Sequence, residues 1–171
     1  MCFECFNKLP KFYYRGQEFL TWYDDKNCRV GFSELPHICN KHINKTVMKK
    51  DEIKKAKKKP LFLENTVTVC LIDKRKGKTY VFDIKAGYDY DGASISRFLW
   101  RVIGSKENIE FKIAALIHDV LCENHGYIDN DRYFSTFIFE RLLFIGDVGD
   151  FRRWAMKHSV DNFQKIIGKW G

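Results

Sequence analysis

Thr66-Val67-Thr68-Val69-Cys70-Leu71-Ile72, then the polar run Asp73 to Lys78 with Gly77, then Thr79-Tyr80-Val81-Phe82-Asp83-Ile84, is the stretch that decides the fold. The first run is β-branched and long enough for a strand. The glycine-bearing polar break reads as a hairpin loop, and the second run alternates and returns as its partner. After this hairpin the period changes. Residues 109–124 carry Ile113, Leu116, Ile117, Val120 and Leu121 at helical spacing, with Gly126 just beyond. A further helix is expected from Asp129 or Asn130 to Ile145, burying Phe134, Phe137, Ile138 and Leu142. Another opens at Asp150 with Phe151, Trp154, Ala155, Ile166 and Ile167 as its apolar residues, and a short apolar helix is expected from Ser96 to Ile103. Strands followed by helices indicate an α+β fold: an irregular or β N-terminal extension, a β-hairpin, and a cluster of about four helices.

Working outward, residues 1–48 are aromatic-rich with no clean period, which fits short strands or an extension packed on the main domain. Residues 49–60 form a basic linker, and 61–171 form the α+β domain. The chain has 171 residues, 45% hydrophobic and 16% aromatic, enough for a real core and against global disorder. No window approaches the roughly 18 uninterrupted apolar residues of a spanning helix. The opening MCFECFNKLP lacks a basic region followed by an apolar run, so no secretory signal peptide is read there.

The net charge is +8 and is uneven: residues 1–60 hold 14 basic and 7 acidic residues. Much of the excess is Lys49 to Pro60, with seven lysines and two acids. Such a run can dock on phosphate backbones, so nucleic acid is a candidate partner through Lys49 to Lys59; a solvated linker or fraying helix is the plain alternative. Lysines without arginines or interleaved aromatics supply point charges rather than base recognition.

Six cysteines stand at positions 2, 5, 28, 39, 70 and 122. Cys2 and Cys5 form a CxxC pair, and Cys39 and His42 can complete a zinc set, although the second half matches no common finger spacing. Buried or idle thiols are the alternative.

Three polar features interrupt the apolar pattern. His118-Asp119 lies inside the apolar helix, where burial of an ionisable pair costs several kcal/mol, on the order of the unpaired-group penalty, unless partners compensate. Adjacent helical positions differ by about 100°, so both cannot face the core centre equally; one can point into a cleft and the other to its wall. Cys122 and His125 follow at four and seven residues and can converge with His118 on one ion; His125 can equally cap the helix end. Asp89-Tyr90-Asp91-Gly92-Ala93-Ser94 sets two carboxylates and a hydroxyl after a strand, suited to a ligand or acid/base position or to turn and cap chemistry. Asp129-Asn130-Asp131 sits where carboxylates suit a helix N-terminus.

These segments together carry a resemblance. Residues 81–88, residues 90–100 (Tyr90-Asp91-Gly92-Ala93-Ser94-Ile95-Ser96-Arg97-Phe98-Leu99-Trp100), Ala114-Ala115-Leu116-Ile117-His118-Asp119-Val120-Leu121 and Asp131-Arg132-Tyr133-Phe134 resemble an uncharacterised domain-of-unknown-function family (DUF1353) found mainly in phages and prophages. Its pattern runs GF-x-TD-x-ASVP-R-x-LW, AA-x-x-HD-x-LY and AD-x-x-F, and the likeness spans about residues 61–160. By position Asp91, Ser94, His118, Asp119 and Asp131 match the family's polar residues. Ser96 stands where the family has Pro, Cys122 where it has an aromatic, and Asn130 where it has Ala.

The resemblance implies a phage or prophage setting, other phage proteins as partners, and a location in the host cytoplasm or the phage particle; it implies no reaction. Two functional classes stay open. One is a hydrolase-like enzyme in which His118 is base or metal ligand, Asp119 or Asp91 orients it, Ser94 contacts substrate or attacks it, and Asp131 joins them. A divalent metal such as zinc, on His118, Asp119 and Asp131, belongs to that reading. The His-Asp phosphohydrolases need a further upstream histidine on a helix, and His37 and His42 lie in the wrong context. The other class is a non-catalytic virion, tail or assembly protein whose His-Asp pair is a packing network.

Overall fold

The computed structural model describes residues 8–90, 109–128, 132–145 and 149–167. Strands β1 (Lys11–Tyr14), β2 (Gln17–Asp24), β3 (Cys28–Phe32) and β4 (Ile38–Asn40) precede helix α1 (Lys50–Lys58). Then come β5 (Leu61–Leu63), β6 (Val67–Asp73), β7 (Lys78–Ile84) and β8 (Asp89–Tyr90). Helices α2 (Ile109–Glu123), α3 (His125–Ile128), α4 (Arg132–Ile145) and α5 (Asp150–Ile167) follow. The fold is α+β, with strands in the N-terminal half and helices in the C-terminal half.

The expected hairpin is β6–β7, paired antiparallel from Val67↔Ile84 to Asp73↔Lys78. It does not stand apart from the aromatic N-terminal residues. β3 pairs antiparallel with β6, giving a five-stranded sheet of order β1-β2-β3-β6-β7 that runs across the change of composition at residues 49–60. A second sheet has the order β4-β5-β8. The basic stretch 50–58 is helical. Its first turn holds Asp51 and Glu52 and its last turn lysines, which complements the helix dipole. Glu52 Oε2 accepts the Lys49 N–H at 2.8 Å.

Alternation places Val67, Val69 and Leu71 on one face of β6, where they join Leu20, Trp22 and Val30 and meet the helices in one core. α2 is buried nearly all round, because α4 and the sheets cover it from several sides. Ile113, Leu116, Ile117, Val120 and Leu121 are all buried, as their spacing predicts. On α5 Trp154 is 57% exposed, with its ring against His158, and Met156 and Val160 are buried. These two are four residues apart on one stripe, and Trp154 lies nearly opposite. The short helix expected at 96–103 lies outside the described residues.

On the far side of the large sheet Phe12, Phe19 and Cys70 form a smaller cluster. The Phe12 ring lies directly over Gly31. A Cβ there would overlap Phe12 Cε1, so the glycine is what lets the Phe12 ring lie this close to β3. Gly31→Ala is expected to lose about 1–3 kcal/mol in urea unfolding, with part of the loss recovered in the Phe12→Leu background; strictly additive losses would refute this contact.

Candidate functional site

The buried ionisable pair of α2 is built by the helix itself. His118 faces the core at 4% exposure, and Asp119, one position on, keeps 13% of its side chain exposed. The imidazole ring lies tilted on Phe139 of α4, with centroids 5.2 Å apart. Its Nδ1 is 3.4 Å from Asp119 Oδ1 and its Nε2 is 3.4 Å from Cys122 Sγ. The Cys122 thiol points to Ser135 Oγ at 3.9 Å, and Ser135 donates to the Arg132 carbonyl at 2.9 Å. The chain of contacts therefore runs from α2 into the first turn of α4. Burial pushes the His118 imidazole down, but the Asp119 carboxylate and the Cys122 sulfur outweigh it and hold its pKa raised to about 9.

His125 does not join this cluster. Its Nδ1 lies 3.1 Å from the Cys122 carbonyl, a bond at the end of α2 rather than an ion-facing position. Asp91, Ser94 and Asp131 lie outside the described residues, as do Cys2 and Cys5. Cys39 is half-buried on β4, its thiol pushed up by burial and by Glu64; His42 follows in the loop. Cys28 is fully buried and pushed up to about 12, chiefly by burial and then by Asp25. Among the described residues no group of three or more His, Cys, Asp or Glu side chains could hold a metal ion.

Beside Asp119 runs a polar seam that sequence pattern does not reveal. Tyr88 donates to Glu123 Oε2 at 2.8 Å, and Lys59 Nζ donates to Glu123 Oε1 at 3.0 Å and to the Asp89 carbonyl at 3.1 Å. Tyr90, fully buried, donates to the Lys112 carbonyl at 3.1 Å. Both phenols are pushed upward, by burial first and then by the acids around them, Glu123 for Tyr88 and Asp119 for Tyr90. The seam ties α1, β8 and α2 together.

A second network is equally long-range. Asp73, fully buried at the end of β6, takes Arg75 through both carboxylate oxygens, at 3.0 and 2.9 Å. The Arg75 guanidinium lies 3.6 Å over the Phe137 ring of α4. A short Asp-x-Arg spacing at a strand end is the local signal for the ion pair; nothing local signals the ring it covers.

Among the described residues no helix is long and apolar enough to cross a membrane. The model of the family described as "Protein of unknown function (DUF1353)" matches residues 67–160, which include the hairpin, the His118-Asp119 pair and the α4 packing partners. No curated protein and no solved structure matches the chain. A match over more than half of its length, centred on the elements that build the pair, makes this chain a member of the DUF1353 family.

Proposed function

We propose that the protein is a non-catalytic accessory component of a phage or prophage, a virion or assembly protein, in which His118 and Asp119 fix the packing of α2 on α4. The observation that carries this reading is the position of the His118 ring. It is 4% exposed, lies on Phe139, and has both ring nitrogens turned to side chains of its own helix. A raised pKa keeps that ring protonated near neutral pH. A protonated imidazole donates from both nitrogens, which suits Asp119 and Cys122, and offers no lone pair for base catalysis or metal ligation. Its partners are other phage proteins, met in the host cytoplasm or in the particle. The lysines of α1 offer a cationic face to an anionic partner such as nucleic acid.

The hydrolase-like alternative makes a different prediction for the same substitution. Wild-type protein and His118→Gln are compared for bound metal by elemental analysis, for hydrolysis of phosphomonoesters, phosphodiesters and peptidoglycan, and for thermal stability. The packing role requires a melting point lowered by several degrees and no turnover that depends on His118. Hydrolysis that disappears in a variant with an unchanged melt would establish the enzyme instead.

A further inference from the structure

Helix α1, residues 50–58, carries five lysines, two acids and no aromatic or arginine side chain. Its inward side is small: Ala56 is buried and Ile53 half-buried. The next residue, Lys59, fastens its C-terminal end, donating to Glu123 Oε1 of α2 at 3.0 Å and to the Asp89 carbonyl of β8 at 3.1 Å. The Asp89 carboxylate is itself taken by Lys41 at 2.6 Å. Both acids nearest this end are therefore already paired. Lys50, Lys54, Lys55, Lys57 and Lys58 are all exposed, and none of the five is held in an ion pair among the described residues. The basic run is thus a fixed element that presents its charges outward, not a slack linker.

Helical geometry orders those charges. Lys50, Lys54 and Lys58 follow one another in a stripe, each about 6 Å further along the axis and about 40° further round. Lys57 flanks the stripe on one side and Lys55 on the other, so the five positions cover the outward half of the cylinder. Asp51 shares this half in the first turn and subtracts from its charge. Glu52 lies beyond it, with Oε2 accepting the Lys49 N–H at 2.8 Å.

Anionic surfaces differ in what they ask of such a face. A protein interface is built round an apolar and aromatic centre and is depleted in lysine. A bilayer surface holds a helix by burying its apolar side, and the apolar side of α1 is turned into the protein. A single nucleic-acid strand is held by stacking its bases on aromatic rings, which α1 lacks. A DNA duplex asks for charge alone, since it carries one negative charge per about 1.7 Å of axis. Its major groove is about 12 Å wide and bounded by a phosphate backbone on each side, and a helix is about 10–12 Å across. Lysines on both flanks of α1 match both walls. The deep, narrow major groove of duplex RNA admits no such helix.

We propose that α1 is a sequence-independent contact for the phosphate backbone of double-stranded DNA, with its lysine-bearing half lying along the major groove. The inference rests on α1 as a face for an anionic partner and narrows that partner to one polymer; it is independent of the packing role of His118.

The test uses the full chain and a labelled DNA duplex of about 20 base pairs, followed by fluorescence anisotropy across a salt series. The expected dissociation constant is about 1–100 μM at low salt, with a log–log salt slope of about −3 to −4, and a duplex of unrelated sequence is expected to bind within twofold. This slope is read on wild-type protein and stands without any variant. Lys54→Gln with Lys58→Gln is expected to weaken binding at least tenfold and to flatten the slope by about 2. Lys8→Gln with Lys26→Gln removes the same charge from exposed lysines outside α1 and is expected to change binding less than twofold. Asp51→Asn is expected to tighten binding severalfold. Equal loss in the two double variants overturns the proposal, because net charge alone would then explain the binding. Tighter binding of the single strand, or equal binding of an RNA duplex, overturns it as well. Binding of poly-glutamate or of phosphatidylserine vesicles without binding of the duplex overturns the choice of DNA and leaves α1 as an anion-facing surface; binding of none of these probes overturns both.

Discussion

Phe139→Ala is expected to lower the melting temperature by about 10 °C, the largest single-residue effect in the helical layer. Phe139 is fully buried; it meets Phe111 edge-on at 6.5 Å and carries the His118 ring at 5.2 Å. Truncating a buried phenylalanine removes its transfer free energy and leaves a cavity, together about 3–5 kcal/mol. For a chain of this length each kcal/mol is about 2–4 °C. The site cannot collapse easily, because Ile138 and Leu142 are also fully buried on the same helix and hold α4 against its neighbours. Phe139→Leu keeps most of the volume and is expected to recover more than half of the loss. Calorimetry of the two variants checks both numbers, and a fall of less than about 3 °C for the alanine variant would mean that the α2–α4 contact is not central to the core.

The second large effect is pH-dependent and belongs to His118. Its folded pKa is raised to about 9 from an ordinary 6.5, so the folded state binds the proton more tightly than the unfolded chain. The resulting stabilisation is fully present below about pH 6.5 and is lost as pH rises through about 9, where the folded imidazole gives up its proton. Its size is on the order of 2–3 kcal/mol. Urea unfolding of wild type and His118→Gln at pH 6, 7.5 and 9.5 reads this directly: the advantage of wild type shrinks across the series. An advantage that instead grows from pH 6 to pH 7.5 would show that the folded ring is neutral, which would return it to use as a base or a metal ligand, and a constant difference would show an imidazole of ordinary pKa.

A separate window opens at acid pH. Asp25 and Asp73 face a burial cost that their partners outweigh: the Cys28 and Asn27 amides lower the first carboxylate and Arg75 lowers the second. Their contribution is present above the ordinary carboxylate range and is lost as pH falls through their lowered values, well away from the histidine window.

Much of the candidate site was legible locally. A histidine and an aspartate inside an apolar helix stand out because such a pair is costly to bury; the structure buries His118 and leaves Asp119 slightly more exposed. The choice between an ion-binding face and a helix end for His125 was not legible, because both share the same spacing; the bond to the Cys122 carbonyl decides it. Trp154 shows the converse. Its size suggests burial, but the stripe of α5 that faces α4 contains Met156 and Val160, and helix rotation overrides side-chain hydrophobicity.

The sequence by itself determined the β6–β7 hairpin and the helices α2, α4 and α5 that follow it, since hairpin alternation and the apolar helix stripe are properties of neighbouring residues. It also marked the His118-Asp119 pair. Tertiary structure alone decided that β3 pairs with β6, that Phe12 closes over Gly31 and that Arg75 covers Phe137. Each of these joins residues well separated along the chain. Periodicity fixes which side of an element is apolar, whereas the partner on that side is selected by the packing of the whole chain.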